Sequence, residues 1–339
     1  MDPRARLPKR PEHFIACALI LVAGSATRTP AETRKPVNEE WAQVRPLFTL
    51  VEEVAAGKPA PSDVMLSWHC HFLNAQAGVV FVPFTLKIEK GEFTSFPVAM
   101  YLRVVVRGAR APAPGPQDAL AQYPFEDAAV IERPTDGRMT RAFTAPPGDY
   151  DVYVALREKP SAEVPQPKTV VLKEPVSVPD LNTGLALSSI IVADKIEVDA
   201  RGRRSDFEEQ LDDPYALWGS RITPALKYVF GRSKTLSVVF LIYNTGAAGD
   251  DKPDVEVQYS FYRATSGGEV FFIKTKPQRS NAETLGRGFS LAAGDLIIAG
   301  QEMPLARFPD GDYRLEITVT DKTDGTSLTR DVRLAVAGS

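Results

Sequence analysis

The sequence predicts a mostly β protein, with two β-sandwich domains of the Ig-like/fibronectin III-like kind preceded by one amphipathic helix. Three observations carry that prediction. Apolar residues alternate with polar ones over much of the chain. The 28 prolines and 23 glycines cut it into short elements. One turn-and-strand motif occurs twice.

The first 26 residues read as a signal peptide. Arg4, Arg6, Lys9 and Arg10 form a basic head, Phe14 to Val22 an apolar run, and Ala23, Gly24, Ser25 and Ala26 a small-residue cleavage region. The protein is therefore expected in the periplasm or secreted. The apolar run is shorter than the roughly 20 residues that cross a hydrocarbon core, and no later stretch is longer, so no membrane span is expected in the mature chain. Cys17 lies inside the run, which leaves Cys70 without a disulfide partner.

Residues 27–61 hold a leader and the helix. Asn38 is suited to cap a helix reaching Ala56, with Trp41, Val44, Phe48, Val51 and Ala55 at three- and four-residue spacing. Leu47 and Val54 widen the stripe, Gly57 ends it, and Pro46 implies a kink or a restart. The stripe is expected to dock on a neighbouring domain.

The first sandwich is expected over 62–180. Val80, Val82, Phe84, Leu86 and Ile88 share one strand face, and Val98, Met100, Leu102, Val104 and Val106 another. Pro-rich loops follow at Ala109–Gln117 and Lys159–Lys168, and Thr169–Val178 supplies a closing strand. Residues 181–229 read as a linker with one strand, in the apolar run Leu185–Val192, and a charged loop, Arg201–Asp213. The second sandwich spans 230–339. Leu236–Tyr243 is apolar on both faces, as a central strand is. Val255–Arg263 and Glu269–Lys274 form a hairpin about Ser266-Gly267-Gly268, and Leu328–Val336 closes the domain.

The repeat pairs Ala145–Leu156 with Phe308–Val319. Both carry Pro-x-Gly-Asp-Tyr, then apolar residues at every second position: Val152, Val154 and Leu156, and Leu315, Ile317 and Val319. Pro and Gly set a tight turn. The tyrosine then covers the core edge while its hydroxyl bonds nearby backbone, as in a tyrosine corner. A weaker echo matches Val79-Val80-Phe81 with Val238-Val239-Phe240. Two copies of one sandwich follow.

Net charge is −3 with both signs dispersed, which gives no footprint for nucleic acid. The sequence contains no Gly-x-Ser-x-Gly elbow, His-Glu-x-x-His helix motif or Gly-rich phosphate loop. No cofactor is called for. His69 and His71 share a strand face and form a candidate metal pair, with Cys70 turned the other way. Turn chemistry accounts for Asp310 and Asp312 about Gly311, and for Asp321 and Asp324 before Gly325. Tyr101, Tyr153 and Tyr262 fall opposite the core face of their strands, as a binding platform for protein or carbohydrate does.

Pro-x-Gly-Asp-Tyr with its alternating strand, Thr320-Asp-Lys-Thr-Asp-Gly325, Tyr123-Pro-Phe-Glu-Asp127 and Ser188-Ser-Ile-Ile-Val-Ala-Asp194 resemble the C-terminal region of exported bacterial proteins. These are the uncharacterised von Willebrand factor A-related and GWxTD-type proteins. The chain has neither the GWxTD pattern nor the Asp-x-Ser-x-Ser metal motif, so the resemblance implies Ig-like modules and no reaction. The expected function is an exported, non-catalytic protein that binds an unidentified protein or envelope component, or builds an envelope assembly. The alternatives are a metal-dependent enzyme or metal-binding protein using His69 and His71, and a carbohydrate-binding module using the tyrosines.

Overall fold

The computed structural model describes residues 38–75, 78–108, 123–134, 136–198, 211, 213–217 and 219–338, with side chains from residue 43 onward. The signal segment, the leader, the loop Ala109–Gln117 and most of Arg201–Asp213 lie outside these residues.

Helix α1 spans Asn38–Ala55 with Pro46 inside it. Gly57, at φ +94°, ends the helix, where Gly57 N–H bonds Val54 O at 3.0 Å and Lys58 N–H bonds Glu53 O at 2.9 Å. Val44, Leu47 and Val51 are fully buried. They pack on Ala99, Tyr101, Tyr153, Ala155 and Val171, so the helix docks as its apolar stripe requires.

The first sandwich contains β1 (Met65–Cys70), β2 (Leu73–Asn74), β3 (Val80–Lys90), β4 (Val98–Val106), β5 (Phe125–Ile131), β6 (Arg138–Ala145), β7 (Gly148–Glu158) and β8 (Thr169–Val178). Sheet I runs β5-β4-β7-β8. Sheet II centres on β3, with β1 and β2 along one side and β6 along the other. Alternation decides what lies between them. Val82, Phe84 and Leu86 of β3 join Met100, Leu102, Val152 and Val154 of sheet I in one core.

The second sandwich contains β9 (Ala186–Leu187), β10 (Ile191–Val198), β11 (Ala216–Leu217), β12 (Ser220–Pro224), β13 (Val229–Gly231), β14 (Thr235–Tyr243), β15 (Val255–Thr265), β16 (Gly268–Lys274), β17 (Gln278–Ser280), β18 (Ile297–Pro304), β19 (Gly311–Asp321) and β20 (Ser327–Ala337). Sheet III runs β11-β12-β10-β14-β18, with β9 also on β14. Sheet IV runs β13-β20-β19-β15-β16, with β17 on β15.

The two halves repeat each other. The order β5-β4-β7-β8 of sheet I recurs as β16-β15-β19-β20 in sheet IV, and β1-β3-β6 recurs as β10-β14-β18. This places 181–229 differently from a linker. Its apolar run divides into β9 and β10, and both pair with β14. Strand β10 is the counterpart of β1, so the second copy begins there. The apolar run predicts a strand here, but Asp194, Lys195 and Glu197 make the second half of β10 polar, so its full length is not evident from the run.

Sheet II sits on sheet III. One apolar cluster runs from sheet I through sheet II to Ile191, Leu217, Ile222, Leu241 and Tyr243. On β14, Leu236, Val238, Phe240 and Ile242 enter the second core, while Val239, Leu241 and Tyr243 face this junction. The strand apolar on both faces therefore separates two cores. The Tyr243 hydroxyl accepts Asn74 N–H at 3.0 Å, Ser189 Oγ accepts Phe72 N–H at 2.8 Å, and Arg138 reaches Asp194 at 3.0 Å across the junction.

Candidate functional site

Strand β1 stops at Cys70, so His71 is the first residue beyond it, its N–H on Pro83 O at 2.9 Å. His71 is buried, and its Nδ1 lies 2.8 Å from the Tyr215 hydroxyl. Burial lowers the pKa of His71 to about 4. His69 is half-buried and shifted down too, by desolvation first, against the opposing pull of Glu89. Among the described residues no group of three or more His, Cys, Asp or Glu is placed to hold a metal ion. The structure thus gives His71 a hydrogen bond within the junction between the sandwiches.

Tyr101 and Tyr153 do lie opposite the core of sheet I, but α1 covers that face, and they are 1% and 4% exposed. A platform built on them is therefore corrected to an internal interface. Alternation tells which face a residue is on, and not what covers it. Beneath the helix, Arg103 Nε donates to the Tyr101 hydroxyl at 2.7 Å and to Glu126 at 2.9 Å, and Tyr101 donates to Glu126. Desolvation raises the pKa of Glu126.

Tyr262 is the member of the trio that reaches the surface, half-buried on the outer face of sheet IV. The Arg314 guanidinium lies 4.3 Å above its ring, and Phe271 meets it edge-on at 6.0 Å. Arg314 binds Glu269 and Glu316 at 2.7 Å and Asp331 at 2.9 Å. Its hydrogen bond holds Glu269 below the usual carboxylate range. A concavity of about 400 Å³ opens beside this network, lined by Tyr228, Glu269, Asp312, Arg314 and Arg333 among others.

Next to it lies a feature that the alternation argument missed. The edge strand β16 exposes Val270, Phe271 and Ile273 at 49%, 57% and 41%, the one place among the described residues where three exposed large apolar side chains fall within four positions. Its register against β15 passes from Phe261↔Ile273 to Tyr262↔Phe271, so Phe272 is an extra residue in a bulge. Phe272 turns inward onto Phe308 at 4.9 Å and Tyr313 at 5.5 Å. The signal was present in the four apolar residues Val270–Ile273, where a half-buried strand should alternate. An aromatic pair, a network of paired charges and an apolar rim together form a surface suited to binding.

No family model matches the chain, and no curated protein matches it. Among solved structures, the chain is similar to the crystal structure of Salmonella alpha-2-macroglobulin reacted with methylamine, at 13% sequence identity and a TM-score of 0.23. That likeness covers 83% of this chain and spans 17% of the other.

Proposed function

We propose that the chain is an exported, non-catalytic β-sandwich protein that holds a protein of the cell envelope against the outer sheet of its second sandwich. The observation that supports this reading is the apolar rim of β16 beside Tyr262 and Arg314. Desolvating an exposed Phe, Val and Ile favours association, and Tyr and Arg recur at the energetic centres of interfaces. Export rests on the three-part pattern of residues 1–26.

The test places a photo-crosslinking amino acid at Phe271 or, as a control of equal exposure, at Met65, in the full chain expressed in a bacterial host. The expected result is a processed chain outside the cytoplasm and a defined protein adduct from position 271 alone. An unprocessed cytoplasmic chain overturns export. Equal adducts from both positions, or none, overturn the binding surface.

A further inference from the structure

The outer edge of β16 has a polarity along its length. Its apolar residues are followed by Lys274 and Lys276, both exposed and neither in an ion pair among the described residues. Arg279 follows on β17, held by Glu256 at 3.2 Å. The backbone of the same stretch is open. Thr275 donates its N–H to Tyr259 O at 3.0 Å, and Lys274 stands opposite Ser260 in the ladder. Since main-chain groups of successive strand residues point to opposite sides, those of Lys274, the last residue of β16, face away from β15, and Lys276 follows just past the end of the strand. Among the described residues no strand pairs with β16 on that side.

An edge with free main-chain groups, a flanking apolar rim and two unneutralised ammonium groups calls for a complementary strand. We infer that this edge receives an extended segment of a partner protein, antiparallel to β16, apolar at alternate positions and acidic at its N-terminal end. In that orientation the carboxylates lie beside Lys274 and Lys276, while the apolar positions cover Phe271, which shares its sheet face with Lys274. A second copy of this chain fits less well. The bulge at Phe272 breaks a continuous self-pairing ladder, and the one acidic side chain of the strand, Glu269, is already held by Arg314 at 2.7 Å.

This inference deepens the proposed binding role and rests on it. The experiment measures fluorescence anisotropy of two labelled peptides, Glu-Glu-Val-Thr-Val-Thr-Val and Lys-Lys-Val-Thr-Val-Thr-Val, against the purified full chain. The acidic peptide should bind at least about tenfold tighter at low salt, with the gap closing at high salt, since exposed charges are screened within about 10 Å at 0.1 M. The double substitution Lys274→Glu with Lys276→Glu should reverse the preference, and Phe271→Asp should weaken the acidic peptide at least about tenfold. These side chains are exposed, so matched thermal melts are expected; if Phe271→Asp misfolds, Phe271→Ser takes its place. Equal binding of both peptides, or indifference to Phe271→Asp, overturns the inference. So does a dimer seen by sedimentation that the same substitutions abolish, or saturable binding to anionic phosphatidylglycerol vesicles that they abolish. A specific crosslink at position 271 without peptide preference leaves the binding surface standing and removes only the strand-type partner.

Discussion

Tyr150 and Tyr313 open β7 and β19, and each hydroxyl donates to the carbonyl four residues earlier, Pro146 O at 2.9 Å and Pro309 O at 2.7 Å. Both rings are buried, so removing the hydroxyl leaves a carbonyl short of a partner at each corner. Tyr150→Phe and Tyr313→Phe are each expected to cost about 1 kcal/mol in urea unfolding, and to add in the double variant because the corners belong to different sandwiches. His71 sets a pH dependence opposite in sign to that of a histidine held charged in an ion pair. Its folded pKa, about 4, lies below the ordinary histidine value of 6.5, so between those values the unfolded chain takes up a proton that the folded chain refuses. Stability should therefore fall as pH drops through that window, by about 3 kcal/mol. His71→Gln should flatten the curve, and an unchanged slope would place the titrating group elsewhere. At this scale the sequence displayed both corners, since Pro-x-Gly-Asp-Tyr specifies its own turn. It displayed His69 and His71 as chemical types, but Tyr215 is distant along the chain and its hydrogen bond to His71 is set by the packing of β11 beside sheet II.

Among elements, α1 depends most on its surroundings. An isolated helix of 18 residues is marginal in water, and Pro46 removes one of its internal hydrogen bonds. Its order therefore rests on Val44, Leu47 and Val51 against sheet I. Leu47→Ala, which removes a fully buried side chain, is expected to abolish amide-exchange protection across α1 while β3 and β14 stay protected. Equal loss in all three would show that helix and sheets unfold together. Strand β16 is the opposite case, an element whose existence and hairpin partner were legible from Ser266-Gly267-Gly268 while its exposure was not. The bulge at Phe272 shifts the faces by one residue, and only the pairing with β15 reveals it.

The whole molecule is a stack in the order α1, sheet I, sheet II, sheet III and sheet IV, with sheets II and III sharing apolar residues between the two copies. Such a junction couples the sandwiches. Calorimetry of the full chain is expected to show one transition with equal calorimetric and van't Hoff enthalpies, and two resolved transitions would count against a shared interior. Leu241→Asp, which puts a carboxylate into the junction at a residue 2% exposed, should destabilise the chain by several kcal/mol, on the order of 3 or more. Val106→Asp, at a residue 46% exposed, should stay within about 0.5 kcal/mol.

Short-range pattern sufficed for the β class, the helix, the hairpin and the duplicated corner. Each of these depends on residues a few positions apart, whose dihedral preferences and period are local properties. Burial is a property of pairs of surfaces. That β10 completes the second copy, that Tyr101 and Tyr153 lie under α1, and that Phe271 is left at a rim follow from which faces meet. Those meetings join residues far apart in the chain, where the free energy of covering apolar area outweighs local preference.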